Sequence, residues 1–232
     1  MAVASTARTY NRYVPALYDP SRPHKLIFVF HGLNNNGAGI RNSLNFESWP
    51  NSQPNESTII YYPDAIQSGN KAFNVDDGTA SNVDLQFFDA LVDAAQSSLC
   101  VDPKRIFVTG FSQGGYMTNL LACVRPSVVR AFAAQSGGFG NYGRAGNCPQ
   151  MGVPGAFLVG LNDTSFLPEV RTARDTWWRP KNGCGSTTTA LNPSPCVVYA
   201  SCQQDVVSCE FSGVHEVWSN ARTVVWDFFS RF

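Results

Sequence analysis

Apolar residues fall along the chain in short unbroken runs separated by longer stretches of mixed polarity. Lys25–Phe30, Thr58–Tyr62 and Arg105–Thr109 are such runs, as expected of strands buried on both faces of a parallel sheet. Ala131–Gln135 and Gly155–Val159 continue the series, and Cys196–Ser201 and Val206–Phe211 have β character. Arg8–Val14 alternates instead, with Pro15 ending it, which predicts an edge strand. Between the runs the period changes. Val83, Phe87, Leu91, Ala95 and Leu99 recur every fourth residue, which predicts a helix over 81–99. Ser81 is its expected N-cap, with Asp84 at the capping-box position. Further helices are expected over Tyr116–Val124, Leu167–Trp178 and Ser219–Phe229.

Alternation of strand and helix implies right-handed crossovers and a mostly parallel sheet covered on both faces, the α/β class. No repeat, long linker or low-complexity tract interrupts the 232 residues, so one domain spanning 1–232 is the expectation.

Charge narrows the function classes. Lys plus Arg and Asp plus Glu each number 17, the charges are scattered, and the net charge is zero. Such a chain lacks the electrostatic footprint of a nucleic-acid binder or of a protein drawn to anionic membranes. No apolar run approaches the ~20 residues that cross a bilayer. Neither a nucleic-acid nor a membrane partner is expected, and the expected state is a monomer.

The first seven residues are too short and too weakly apolar to be a signal peptide. The seven cysteines nevertheless favour a mature secreted chain over a reduced cytosolic one. Four of them, Cys184, Cys196, Cys202 and Cys209, fall within a Gly/Ser/Pro-rich stretch. N-glycosylation sequons occur at Asn55 and Asn162. A bridge between Cys100 and Cys123 would tie the ends of two predicted helices. Cys196–Cys209 is a further expected pair, leaving Cys148 free.

The chemistry centres on Gly110, Ser112 and Gly114, a G-x-S-x-G motif with a buried strand before it and a helix after it. That context predicts a nucleophile elbow, which lifts the serine Oγ out of the sheet at a helix N-terminus. A serine hydroxyl needs a neighbouring base. Of the three histidines, His24 lies in a Pro/Arg-flanked turn expected to be solvated, and His31 ends a strand where it shapes a loop. Only His215 follows Ser112, and α/β-hydrolases order their triad as serine, acid, histidine. The acid is expected at Asp163, in a turn after the strand Gly155–Val159. Its rivals are Glu169, Asp175, Asp205, Glu210 and Glu216. Oxyanion donors are assigned to the backbone N–H groups of Gln113 and Leu33. The histidines are too dispersed for a metal set, no phosphate-binding glycine loop is present, and no cofactor is implied.

With these residues in hand the chain resembles carbohydrate esterase family 1, which includes feruloyl and acetylxylan esterases and the related short polyhydroxybutyrate depolymerases. The resemblance runs through Arg8–Pro15, Phe30–Gly32, the nucleophile block Val101–Asn119, the acid turn Val159–Thr164 with Pro168, and the histidine loop Gly213–Trp218. Val159 and Ser219 depart from the usual pattern, where histidine and proline are common; neither is a triad position. The resemblance implies an α/β-hydrolase fold, a Cys184–Cys202 pair, and a secreted enzyme removing feruloyl or acetyl groups from plant cell-wall xylan. Feruloyl is the leading expectation, so the expected partner is a small-molecule or polysaccharide-linked ester substrate.

Aromatic residues able to face a phenolic acyl group are Trp49, Phe73, Phe166, Trp177, Trp178 and Trp218, of which Trp218 stands three residues after the base. Competing readings are an acetyl or hydroxybutyrate esterase, acyl transfer to another alcohol by the same triad, and a non-catalytic module that has kept the fold.

Overall fold

A computed structural model describes residues 1–3, 6–48, 58–66, 71–148 and 152–232; Trp49 and the Asn55 sequon lie outside them. The first residues form a small antiparallel pair, β1 (Ala2–Val3) with β2 (Thr6–Ala7). The main sheet follows: β3 (Tyr10–Tyr13), β4 (His24–Phe30), β5 (Thr58–Pro63), β6 (Val101–Phe111), β7 (Ala131–Gln135), β8 (Gly155–Gly160), β9 (Thr188–Ala190), β10 (Cys196–Tyr199) and β11 (Val206–Phe211). The helices are α1 (Gly37–Leu44), α2 (Val83–Ser98), α3 (Gln113–Val124), α4 (Asn141–Arg144), α5 (Leu167–Thr172), α6 (Arg179–Lys181) and α7 (Ala221–Phe229). A π-helical stretch, Ala173–Trp178, joins α5 to α6.

The nine strands of the sheet are ordered β3-β5-β4-β6-β7-β8-β11-β10-β9. From β5 to β11 every pairing is parallel, while β3 at one edge and β10 and β9 at the other run antiparallel. This is an α/β-hydrolase fold. The edge strand and the buried runs stand where the hydropathy pattern placed them.

Strict alternation explains the two cores. Leu26, Phe28 and Phe30 of β4 face α2 and α3, where Phe87, Phe88, Met117 and Leu120 are buried. Ile27 and Val29 face the opposite side, beneath α1 and α7, with Ile40, Leu44, Val225 and Phe229. Both layers are closed by aromatic contacts: Phe28 lies edge-on to Phe88 at 4.8 Å, and Phe107 stacks on Phe229 at 4.7 Å.

Three expectations need correction. The N-cap of α2 is Asn82, whose side chain accepts the Asp84 N–H at 2.9 Å. Asp84 is buried against Arg8 at 2.5 Å instead of completing a capping box from Ser81. His24 is buried, not solvated, because it opens β4 and its Nε2 sits 2.8 Å from the Asp19 carbonyl. The disulfides are Cys123–Cys148, Cys184–Cys202 and Cys196–Cys209, and Cys100 is the free thiol. Cys196 and Cys209 are direct partners in the β10–β11 register. Cys100 does not reach Cys123: its N–H is taken by the Tyr18 hydroxyl and its carbonyl by the His24 N–H, which fixes it beside the start of β4.

Candidate functional site

The chain runs β4, then β5 on one side, then crosses to β6 on the other, so the strand order reverses between β4 and β6. In open α/β sheets ligands collect at the carboxyl ends of the strands flanking such a reversal. Here the register pairs Phe30 with Gly110. The loop of His31, Gly32 and Leu33 is thereby set beside Ser112. A β-carbon on Gly32 would lie 3.3 Å from the Ser112 β-carbon. Further along the sheet, β8 and β11 end in register at Gly160 and Phe211. The two loops beyond them are joined by Asn162 N–H to Gly213 carbonyl at 2.8 Å, which brings the acid turn and the histidine loop together.

Ser112 adopts φ 56° and ψ −121°, a left-side backbone conformation rarely populated by a residue with a side chain. It is held there by its N–H on the Gln135 carbonyl (2.8 Å) and by its own carbonyl, which accepts from Gly115 and Tyr116. This is the sharp strand-to-helix turn that the motif and its flanking elements predict. The Ser112 Oγ lies 3.0 Å from His215 Nε2, and His215 Nδ1 lies 2.7 Å from Asp163 Oδ2. Asp163 is buried, and its second oxygen accepts the Phe166 N–H at 3.2 Å. The rival acids are engaged elsewhere: Glu210 with Arg171 and Arg174, Asp175 with Arg174 and Arg179, Glu169 with Arg144, Asp205 with Arg231. Glu216 turns back on the Val214 N–H.

His31 shapes the neighbouring loop. Its Nδ1 meets the Gly32 carbonyl at 2.7 Å and its Nε2 accepts the Ala65 N–H at 3.0 Å, so both ring nitrogens are satisfied in the neutral tautomer. Burial pushes its pKa below the usual imidazole value. Among the described residues, the N–H groups of Leu33 and Gln113 donate to no protein acceptor. The Gln113 side chain accepts the Phe73 N–H at 3.1 Å and ties the elbow to the 71–78 segment.

A groove of about 340 Å³ opens at Ser112. Leu33, Gln113, Val75, Tyr116 and Phe166 line it together with the polar Asp76, Asn141 and Arg144. Two loops make its wall: Asp76 Oδ1 accepts the Asn141 N–H at 2.7 Å, and Gly140 packs so tightly on the Val75 carbonyl that a β-carbon would sit 2.2 Å away. Burial, with Glu169 nearby, pushes the Tyr116 phenol up to about 12, so it is a neutral hydroxyl in the groove. Arg144 is fixed by Glu169 and by the Phe139 carbonyl.

Trp218 does not belong to this wall. Its ring stacks on Phe211 at 5.0 Å and packs against the α1/α7 core, because the chain is already turning into α7. Phe73 and Trp178 are buried in the opposite core, and Trp177 packs on its margin. Phe166, by contrast, stacks on the His215 ring at 4.3 Å. Asn119 escaped the sequence reading altogether: it bonds the carbonyls of Gly115 and Gly137 and accepts from Trp178 Nε1 (2.9 Å), bracing the first turn of α3. No periodicity or motif distinguishes such a residue.

Residues 74–143 match the prolyl oligopeptidase family. The chain is 28% identical to Feruloyl esterase C of Emericella nidulans, over 96% of this chain and 83% of that one. It is 30% identical to Feruloyl esterase D of Neurospora crassa, over 97% and 82%. In fold it is similar to an acetyl xylan esterase from Aspergillus awamori (TM-score 0.74, 17% identity, 95% and 93% covered). It is likewise similar to the CE1 ferulic acid esterase of Anaeromyces mucronatus (TM-score 0.69, 13% identity, 98% and 85% covered). With an elbow serine, this fold and relatives spanning nearly its whole length, the chain belongs to the feruloyl esterase family and is a serine carboxylic-ester hydrolase.

Proposed function

We propose that the protein hydrolyses hydroxycinnamoyl esters, feruloyl above all, carried by plant cell-wall polysaccharide, with Ser112 as nucleophile, His215 as general base and acid, and Asp163 orienting the imidazole. The observation that carries this reading is the unbroken chain Ser112 Oγ–His215–Asp163, at 3.0 and 2.7 Å, on a strained elbow. Ser112 Oγ attacks the ester carbonyl as its proton passes to His215 Nε2. The oxyanion takes bonds from the Leu33 and Gln113 N–H groups. His215 then protonates the leaving alcohol, and water enters by the same base to release the acid.

The side of the site on which each half of the ester rests follows from this. The leaving oxygen must face His215, whereas the groove at Ser112 is lined by Leu33 and Gln113, the oxyanion side. The groove therefore takes the acyl group. Aromatic walls at Tyr116 and Phe166 with Asp76, Asn141 and Arg144 beside them suit a ring bearing hydroxyl substituents better than an acetyl group. The three disulfides favour an extracellular protein, and the relatives support the substrate class.

Comparing methyl ferulate, acetylated xylan and hydroxybutyrate oligomers on the wild type and Ser112→Ala tests the reading. Ser112-dependent release of ferulate is expected. Cleavage of acetyl or hydroxybutyrate esters alone would transfer the assignment to those substrates, and an added alcohol accumulating new ester would mark a transferase.

A further inference from the structure

Resting on that triad, we infer that Phe111 and Phe166 are positioning residues that hold the His215 ring against two aromatic rings and stabilise the imidazolium it becomes. The Phe166 ring stacks on the imidazole at 4.3 Å with 22° between planes. Phe111 approaches at 4.8 Å and 32°. Neither ring is placed independently of the chemistry. Phe111 precedes the nucleophile at the end of β6. Phe166 follows the acid by three residues, its N–H on Asp163 Oδ1, its ring edge against Tyr116. The turns that present the serine and the carboxylate thus also bring the two aromatic rings onto the base.

The electrostatics distinguish this from ordinary packing. A neutral imidazole stacks on phenyl rings through dispersion alone, whereas a cation within about 6 Å of a ring centroid is also attracted by the negative π face. His215 carries the proton only while the tetrahedral species exists, so the added attraction acts on the transition state and raises kcat. The other groups at the ring are the Asp163 carboxylate on Nδ1 and the Ser112 hydroxyl on Nε2. The Glu216 carboxylate, next along the chain, is turned onto the Val214 N–H.

Phe166→Leu keeps apolar bulk and loses the π face, and Phe166→Tyr keeps both. The reporter is 4-nitrophenyl acetate, whose acyl group is too short to need the groove wall. In Phe166→Leu, kcat is expected to fall roughly three- to thirty-fold with KM little changed. The acid limb of the kcat–pH profile should move to lower pH, since the protonated base has lost a stabilising contact. Phe166→Tyr should restore both, and Phe111→Leu should repeat the Phe166→Leu result. Wild-type kcat in a folded Phe166→Leu or Phe111→Leu, or a fall in kcat without movement of the acid limb, overturns the inference. If Phe166→Leu does not fold, Phe111→Leu decides on the same two readouts. Undiminished activity in Ser112→Ala would instead remove the triad reading on which the inference stands.

Discussion

A β-carbon built on Gly114 would lie 2.1 Å from the carbonyl oxygen of Phe30. The second glycine of the G-x-S-x-G motif is therefore fixed by a neighbouring strand. The start of α3 presses on the end of β4, and only a residue without a side chain lets the elbow and the Leu33 loop approach each other. Gly110 meets the same crowding from the other side, against Gly114 and Phe30. Gly114→Ala must push β4 and α3 apart. A loss of about 1–3 kcal/mol in stability is expected, with a fall in turnover larger than the folded fraction explains. Urea melts beside active-site titration check this, and a fully active Gly114→Ala would contradict the assigned packing.

The triad should act as a unit. Ser112→Ala is expected to lower kcat by about five to six powers of ten, His215→Ala by a similar amount, and the double variant by little more. Asp163→Asn should keep the fold and cost about four powers of ten through loss of tautomer control. Steady-state kinetics on methyl ferulate read all four, and additive losses in the double variant would show that the residues work separately.

Acid sensitivity of the fold should pass through His31. Its pKa is lowered in the folded state by burial, and its Nε2 must stay unprotonated to accept the Ala65 N–H. Below the unfolded value of about 6.5 the unfolded chain binds the proton and the folded one resists it. Stability from this group is therefore complete above about pH 6.5 and is lost as pH falls toward the lowered folded value. Urea midpoints across pH 5–7.5 should show the decline, and His31→Gln should flatten it. A wild-type midpoint that is level across the window would refute the assignment.

Trp218→Ala should reveal a packing residue. Because its half-buried ring lies on Phe211 and outside the groove at Ser112, stability should drop by about 1–3 kcal/mol, with equal fractional losses of kcat/KM on feruloyl and acetyl substrates. Phe166→Ala should differ by widening the groove wall and hurting the feruloyl substrate more. A selective feruloyl loss in Trp218→Ala would return that residue to the acyl site.

The sequence by itself determined the parallel sheet, because strands buried on both faces must be continuously apolar and their helices must repeat every three to four residues. It singled out Ser112 as the candidate nucleophile, since Gly110 and Gly114 flank it between a buried run and a helix. With one histidine after the serine, elimination singled out His215 as the candidate base. Other decisions belong to packing that joins residues far apart in the chain. Asp163 and Glu210 are both acids near strand ends, and only the register of β8 with β11 turns one to the imidazole and the other to Arg171 and Arg174. Cys123 pairs with Cys148 because Cys100 is tied beside β4. Trp218 stands nearest to the base in sequence, yet Phe166, 49 residues upstream of His215, lies on its ring. Distance along the chain carries no such information: side-chain direction at a strand's end is set by the loops that cross it.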